Sequence, residues 1–131
     1  MEKCYAMVLE EPGKFVKKEF PIPEPGDRDL LLRVEMVSIC GSDRLLYRGS
    51  HRLSSFPKIL GHEVVGYVDR LGAAAKREYG VDVGDRVTVE PYIACNKCEY
   101  CLTGLYQAHL PHMTYGVALN CDKPPYLWGA Y

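Results

Sequence analysis

A chain of 131 residues with 47% hydrophobic and 25% charged residues has the composition of one ordinary globular domain, which excludes a disordered or fibrous protein. Its formal net charge is −1 and its basic residues are scattered, which argues against a nucleic-acid surface. No apolar stretch nears membrane-spanning length and no leader-like segment opens the chain, so we expect a cytoplasmic protein that contacts neither membrane nor nucleic acid.

The N-terminal part of the chain predicts three strands. Segments 3–9 and 15–20 are strand-like, and Glu11-Pro12-Gly13 between them is a turn, so we expect a hairpin. Segment 21–27 is an extended connector, because its prolines fix φ and lack amide donors. Apolar residues alternate through 29–37, which predicts a third strand with one fully buried face.

Shorter elements follow this strand. Ser42 would cap a helix from Asp43 to about Tyr47, with its hydroxyl and the Asp43 carboxylate both near the positive helix start. The remaining predicted elements are a strand over 63–71, one or two helical turns over 73–79, a turn over 83–86, and a strand over 87–89 that Pro91 ends. About six short strands and few helices predict a mainly β domain.

Two separated stretches carry the first candidate site. Cys40-Gly41-Ser42-Asp43 supplies a thiol, a hydroxyl and a carboxylate, and Gly61-His62-Glu63 supplies an imidazole and a second carboxylate. A thiolate and a neutral imidazole are preferred zinc ligands, and a zinc with an open position polarises a substrate oxygen. Singly, such a cysteine is usually a small buried hydrophobe and such a histidine usually finds a hydrogen bond, so the metal hypothesis depends on the joint pattern.

The cysteine-rich loop is a second candidate metal site. Cys95, Cys98 and Cys101 are spaced three apart and His109 follows, which are the ligand types of a closed Cys3His zinc. Without a signal peptide, this cluster indicates metal binding rather than disulfides. A ferredoxin-type iron–sulfur cluster would need a cysteine at the position of Leu105. The two cysteines outside the cluster, expected to be free thiols, are Cys4 and Cys121.

Together these pieces resemble the zinc-dependent medium-chain alcohol dehydrogenases, in the zinc-carrying part of their N-terminal GroES-like catalytic domain. The matching pieces are, in order, Glu24-Pro25-Gly26 with the strand Asp29 to Val37, Cys40-Gly41-Ser42-Asp43, Gly61-His62-Glu63, Val83-Gly84-Asp85-Arg86-Val87, and the three cysteines of the loop. Several pieces in one order are far more specific than one motif. The resemblance implies that residues 1–131 form a partly open GroES-like β-barrel with a few short helices and a cysteine-rich zinc loop.

The resemblance also implies roles at the first site. Cys40 and His62 would hold the catalytic zinc, with Glu63 as an alternate or transient ligand. Asp43 would accept a hydrogen bond from the second ring nitrogen of His62 and fix its tautomer. Ser42 would pass the alcohol proton outward. The zinc lowers the pKa of the bound alcohol, and hydride would pass to NAD or NADP on a following Rossmann domain.

Two positions depart from the family. Many relatives carry a histidine two residues after the aspartate as the next proton-relay step, but this chain has Leu45, with His51 as a candidate substitute. The family's fourth structural zinc ligand is a cysteine, and this chain has His109 at that position. The loop therefore forms a Cys3His site, which we favour, or a weakened or empty one with His112 as a spare donor. His109 could also be an ordinary loop histidine.

Part of the family's machinery is missing from these residues. No Gly-x-Gly-x-x-Gly follows a strand, so the Rossmann domain is not among them. Trp128-Gly129-Ala130-Tyr131 resembles the start of the family's Gly-x-Tyr-Ala-Glu-Tyr strand, beyond which relatives carry the third protein ligand of the catalytic zinc. We therefore expect zinc at the cysteine loop, partial or no zinc at Cys40 and His62, and no alcohol oxidation by this chain alone.

The expected partners follow from the same resemblance. They are a small alcohol or polyol substrate, the missing Rossmann domain, and further copies of the chain in a homo-oligomer. The apolar face turned toward the missing domain would be exposed in this chain and would favour self-association. On this side, the substrate pocket is expected to include Tyr47, Pro91 and Trp128.

Two other classes of protein remain open. A non-catalytic, zinc-stabilised GroES-like module would need only the cysteine loop. A GroES-like co-chaperonin subunit would need a mobile polar loop and no metal ligands. Metal content separates the three classes, because they call for two zinc ions, one and none.

Overall fold

The structure is a computed structural model that describes residues 2–109 and 113–131. Its elements are, in chain order, β1 (Lys3–Glu11), β2 (Lys14–Pro21), β3 (Leu30–Val37), α1 (Gly41–Tyr47), β4 (Lys58–Ile59), β5 (Val64–Leu71), α2 (Ala73–Tyr79), β6 (Arg86–Thr88), α3 (Glu99–Leu102) and a 3-10 helix (Tyr106–Ala108). The suggested spare metal donor His112 lies outside the described residues. No described helix is long and apolar enough to cross a membrane.

The first sheet has the strand order β2-β1-β4 and is antiparallel throughout. β1 and β2 form the expected hairpin, with Val8 opposite Val16. On its other side β1 pairs with β4, where Ile59 lies opposite Val8. β4 therefore closes this sheet immediately before the stretch that contains His62.

The second sheet has the order β3-β5-β6 and is also antiparallel. Its register places Val37, the last residue of β3, opposite Val64, the first residue of β5. Residues just after β3 and just before β5 therefore meet at one corner of this sheet, although they are far apart in sequence. Two three-stranded sheets with few helices, and no closed barrel in the described part of the chain, confirm the mainly β, partly open fold.

The apolar core has two clusters that both contact Tyr131. The buried members of the first are Ala6, Val8, Ile59 and Cys121, and those of the second are Leu9, Leu46, Leu60 and Val117. Full burial of a leucine-sized side chain contributes about 1.5–3 kcal/mol, so these clusters are the main source of stability. Tyr131 packs against both clusters and so bridges them.

Lys58 is fully buried beside this core. Its Nζ donates to the Leu53 carbonyl at 2.9 Å and to the Val117 carbonyl at 2.6 Å. Burial lowers the pKa of Lys58 from 10.5 to about 8. The two carbonyl oxygens stabilise the charged form, so this lysine joins two loops across the core at the cost of a buried charge.

The expectation that β3 has one fully buried face is wrong. Val34 is 43% exposed and Met36 is 66% exposed, and no residue of β3 is fully buried. Alternation along a strand sets which side chains share a face, but a face is buried only where another layer covers it. The register shift between Val34 and Met36 also breaks the alternation, so these two side chains lie on opposite faces of the sheet. In the described part of the chain the buried clusters lie beside β1 and β4, so β3 has no such cover.

Candidate functional site

The corner between β3 and β5 brings the two predicted metal-binding stretches together. Cys40 follows β3 and is the N-cap of α1, with an extended backbone at φ −86°. His62 and Glu63 immediately precede β5. The Ser38 amide donates to the Glu63 carbonyl at 3.0 Å, which continues the strand pairing past the end of β3.

Three donor atoms converge at this corner. One ligand atom from each of Cys40, His62 and Glu63 lies within 4.8 Å of the other two. A cation that takes one thiolate, one imidazole and one carboxylate can reach all three from such a spacing, and these are ligand types of zinc. The residues present therefore fit the metal that the sequence implied.

Asp43 lies behind the imidazole. Its Oδ1 is 3.6 Å from His62 Nδ1, and both atoms are buried. The other ring nitrogen, Nε2, lies 3.3 Å from the Ser42 hydroxyl. The carboxylate therefore favours a proton on Nδ1, which leaves Nε2 free to act as the ligand nitrogen.

The charges at this corner are strongly coupled. The Asp43 carboxylate, 3.6 Å from His62 Nδ1, is the main cause that raises the pKa of His62 to about 9. Hydrogen bonds from the hydroxyl and the amide of Ser42 lower the pKa of the Cys40 thiol. Without a metal these shifts favour a thiolate beside a protonated imidazole, and a dication bound there would take the place of the imidazole proton on Nε2.

Glu63 is held from its other side by Ser38. The Ser38 hydroxyl donates to Glu63 Oε2. This hydrogen bond, followed by one involving Cys40, lowers the pKa of the Glu63 carboxyl. The side chain therefore stays ionised and is oriented within reach of the thiol.

Ser42 does not cap α1, contrary to the sequence-based prediction. The helix begins at Gly41, two residues before the predicted start, and Cys40 occupies the cap position. Asp43 Oδ2 accepts the Cys40 amide at 2.8 Å and so satisfies a donor at the helix start. This arrangement leaves the Ser42 hydroxyl free to face His62.

An open pocket of about 440 Å³ lies next to these residues. Its polar side is formed by His62, Glu63 and Ser38, and much of the rest is apolar, with Met36, Val65, Val89 and Pro91 among its lining. Only Pro91 of the three predicted pocket residues lines it. The other two stack elsewhere in the described chain, Tyr47 on Phe15 and Trp128 on Tyr115.

The suggested proton relay has no continuation through His51 in the described chain. His51 Nδ1 accepts the Leu53 amide at 3.1 Å, a contact within its own loop. Leu45 is 44% exposed and carries no proton-transferring group. Ser42 is therefore within hydrogen-bond distance of His62 Nε2, and in the described chain no histidine beyond His62 is linked to it.

The cysteine loop forms a second cluster, separate from the first. The donor atoms of Cys95, Cys98, Cys101 and His109 all lie within 4.8 Å of one another, and His109 is buried. Cys95 Sγ is 3.7 Å from Cys101 Sγ, and Cys98 Sγ is 3.4 Å from His109 Nδ1. Asn96 has φ +54°, which turns the chain so that the Cys98 amide reaches Cys95 Sγ.

These separations match a tetrahedral zinc. With Zn–S of about 2.3 Å and Zn–N of about 2.0–2.1 Å, tetrahedral angles require about 3.8 Å between sulfurs and about 3.5 Å between sulfur and nitrogen. The measured 3.7 Å and 3.4 Å agree with both values. His109 occupies the corner that completes the set, so the residues present fit a closed Cys3His site.

The thiols of this loop differ in acidity. The Cys98 amide, followed by that of Lys97, lowers the pKa of the Cys95 thiol to about 7. The Cys101 amide acts in the same direction on Cys98, but burial and the neighbouring thiols outweigh it and raise the pKa of Cys98. Three adjacent thiols cannot all ionise without a cation, so the cluster favours a dication. Outside the cluster, Cys4 and Cys121 are free thiols as expected.

Tyr131 is a site residue that sequence reasoning missed. Its hydroxyl is 2.9 Å from Asp43 Oδ2. Burial, and then the Asp43 carboxylate, raise the pKa of this hydroxyl well above its usual range, so it remains protonated and donates. The two residues are 88 positions apart, and no local spacing pattern connects them.

A family model for the alcohol dehydrogenase GroES-like domain matches residues 26–131. The chain belongs to this family. A zinc-type alcohol dehydrogenase-like protein of Haemophilus influenzae is 48% identical over 103 residues, which cover 79% of this chain and 30% of that protein. The match agrees with the pieces on which the resemblance was based.

Two solved structures of relatives share the fold. An alcohol dehydrogenase from Thermotoga maritima superposes with a TM-score of 0.86 at 29% identity, covering 98% of this chain and 36% of that one. A protein from Sinorhizobium meliloti, described as a zinc-binding dehydrogenase bound to NADP, gives a TM-score of 0.79 at 34% identity, covering 92% and 34%. The chain thus spans about a third of the length of the relatives it matches.

Proposed function

We propose that this chain is the zinc-carrying catalytic portion of a NAD- or NADP-linked dehydrogenase that acts on a small alcohol or polyol. The observation that carries this proposal is the convergence of Cys40, His62 and Glu63 beside an open pocket. The placement of Asp43 behind His62 adds a group whose use is to orient a metal-binding imidazole.

Each residue of the corner has a distinct task in this proposal. Cys40 and His62 hold the metal, and Glu63 is a third or alternate ligand held ready by Ser38. Bound there, zinc supplies Lewis-acid polarisation of a substrate oxygen. Ser42 lies next to His62 Nε2 and is partly exposed, so it can accept the proton that the alcohol loses while it passes its own hydroxyl proton to solvent. Asp43 keeps the imidazole in the tautomer that leaves Nε2 free.

The Cys3His cluster has a structural task. All four of its donors are supplied by the protein, so no position remains for a substrate. Its thiols must stay reduced to bind zinc, which is the support for placing this protein in the cytoplasm. A non-catalytic module would keep this cluster but has no use for the corner of Cys40, His62 and Glu63.

Hydride transfer requires a nicotinamide held against the substrate, and the described residues contain no nucleotide-binding fingerprint. The chain spans about a third of an NADP-bound relative, which supports a second domain as the site of that cofactor. We therefore propose that residues 1–131 alone oxidise no alcohol measurably, because positioning of the nicotinamide supplies much of the rate.

A chimera tests this function. Residues 1–131 would replace the matching segment of the NADP-bound Sinorhizobium meliloti relative, and reduction of NADP by a panel of alcohols and polyols would be followed by absorbance. We expect turnover by the chimera, loss of turnover in the chimera carrying Cys40→Ser, and none by the 131-residue chain. A folded chimera that binds NADP and two zinc ions but reduces no cofactor with any alcohol would contradict the proposal, as would turnover by the chain alone that Cys40→Ser abolishes.

A further inference from the structure

We propose that the Tyr131 hydroxyl is a positioning group of the Cys40–His62–Glu63 metal pocket, which holds the Asp43 carboxylate in the orientation that fixes the His62 ring. This inference rests on the proposed function, because it concerns the same pocket. It adds a residue from the last described segment, which follows the cysteine loop, to a site otherwise built from the start of α1 and the residues just before β5.

The two oxygens of Asp43 have separate tasks. Oδ2 accepts two hydrogen bonds, from the Cys40 amide at 2.8 Å and from the Tyr131 hydroxyl at 2.9 Å. Oδ1 faces His62 Nδ1 at 3.6 Å. Two donors from different directions restrict rotation of the carboxylate, so the second oxygen remains directed at the imidazole.

Tyr131 itself is held firmly from several sides. Its amide donates to the Leu60 carbonyl at 3.0 Å, and its carbonyl accepts the Met7 amide at 2.8 Å. Its ring lies directly on Gly61, where an added Cβ would be 2.6 Å from the ring. The hydroxyl is therefore placed by backbone and packing contacts of the chain itself.

The hydroxyl is separable from the ring. The ring fills space between the two core clusters, a task that phenylalanine would perform equally well. The oxygen supplies the hydrogen bond to Asp43, with the Ser38 carbonyl as a second acceptor at 3.2 Å. A substitution that removes one atom therefore tests positioning without removing the packing.

The test compares metal binding in wild type, Tyr131→Phe and Tyr47→Phe. Each reduced chain first receives one equivalent of zinc to fill the cysteine loop and is then titrated with Co²⁺, whose visible absorption reports binding at the second site. Tyr47→Phe is the matched control, because it removes a tyrosine hydroxyl that bonds the Gly13 carbonyl at 3.0 Å from the same helix that carries Asp43.

We expect Tyr131→Phe to weaken Co²⁺ binding at the second site by about tenfold, the lower end of the loss seen for outer partners of metal ligands. Tyr47→Phe should bind as wild type does. A second readout is the ring Nδ1–H resonance of His62, assigned by its loss in His62→Asn. It should exchange with solvent faster in Tyr131→Phe, whereas a purely structural hydroxyl would leave it unchanged.

The outcomes separate this inference from the proposed function. Equal Co²⁺ affinity and equal Nδ1–H exchange in wild type and Tyr131→Phe would overturn the positioning role while leaving the metal pocket intact. Failure of wild type to bind a second metal would count against the proposed function. In that case, faster Nδ1–H exchange in Tyr131→Phe would still support the positioning of His62 by Tyr131 through Asp43. Unchanged exchange would contradict it.

Discussion

Gly61 is the residue on which the geometry of the metal corner depends most directly. It precedes His62, has φ +91°, and lies against the Tyr131 ring. Both the backbone conformation and the close contact exclude a side chain here. The sequence shows a glycine before the histidine, but the contact between this glycine and the Tyr131 ring is visible only in the folded chain.

Gly61→Ala is expected to cost at least about 3 kcal/mol of unfolding free energy, because strain at positive φ and a clash with the ring add together. Gly80→Ala is the matched control: Gly80 also has positive φ, at +65°, but nothing lies within 4 Å of its added Cβ. It should cost only about 1–2 kcal/mol. Urea unfolding measures the unfolding free energy of both variants. Equal losses would show that the contact with Tyr131 adds nothing to the cost of the Gly61 substitution.

Because burial lowers the pKa of Lys58, we expect the free energy of unfolding to rise at alkaline pH. Its pKa is about 8 in the folded chain and near 10.5 when unfolded, so between these values the unfolded state holds a proton that the folded state has released. Stability therefore rises as pH increases from 8 to 10.5, by up to about 3 kcal/mol, and this gain is absent below pH 8.

The measurement is the unfolding free energy of wild type minus that of Lys58→Met, followed across pH 7 to about 10.5. The subtraction removes the titration of thiols and other lysines that both proteins share. We expect the difference to move in favour of wild type over this window. A difference that stays flat would mean that Lys58 keeps an ordinary pKa in the folded chain.

At the scale of elements, the cysteine loop is the segment that we expect to depend most on a bound metal. Its larger apolar side chains are exposed, with Leu102 at 70% and Leu105 at 51%, and α3 spans only four residues. A helix of this length is not stable by itself, and little buried apolar surface supports it. A structural zinc, in contrast, can contribute on the order of 10 kcal/mol to folding.

Removing zinc with a chelator should therefore unfold this loop while the sheets persist. The amides of Leu102 and Thr103, which donate to carbonyls one turn earlier, should exchange their hydrogens much faster, whereas the β1–β2 amides keep their protection. Cys98→Ser should reproduce the effect, and Cys4→Ser, at a thiol outside the cluster, should not. Unchanged exchange after complete zinc removal would contradict a structural metal.

Elements with strong local signals were predictable from the sequence, and burial was not. The hairpin followed from Pro12-Gly13, and helix 73–79 ends at Gly80 as predicted because glycine adopts the left-handed cap. The alternation of apolar residues indicated strand β3, but it did not indicate whether another layer of the fold packs against that strand. The donors of both metal clusters were visible as ligand types at family spacings, whereas Tyr131 was not, because its contact with Asp43 depends on the fold.

At the scale of the whole molecule, an apolar face remains uncovered in the described chain. It is formed by Met36, which is 66% exposed, together with Val65, Val89 and Pro91, which line the pocket beside His62 with it. Exposed apolar residues grouped around a pocket are typical of an interaction surface. The chain spans about a third of its relatives, so a second domain is the proposed cover for this face.

The isolated chain should therefore self-associate through this face. Light scattering should show a mass that rises with concentration, and Met36→Lys should reduce the rise because a charge is costly to bury. Met7→Lys, in the other sheet and 39% exposed, is the control and should leave association unchanged. A clean monomer at high concentration would count against an interaction surface here.

Zinc binding to the freshly reduced chain tests the two-site description most directly. Titration followed by elemental analysis should give one tightly bound zinc, which Cys98→Ser removes, and a second, weaker one, which Cys40→Ser removes while the first is retained. The second is weaker because only Cys40, His62 and Glu63 supply ligands, and Glu63 is exposed. The convergence of three donors replaces the expectation of partial or no zinc at Cys40 and His62 with a weak second site that a large excess of zinc should fill. A single class of zinc, even at that excess, that Cys40→Ser leaves untouched would contradict a catalytic metal site and support a non-catalytic, zinc-stabilised module.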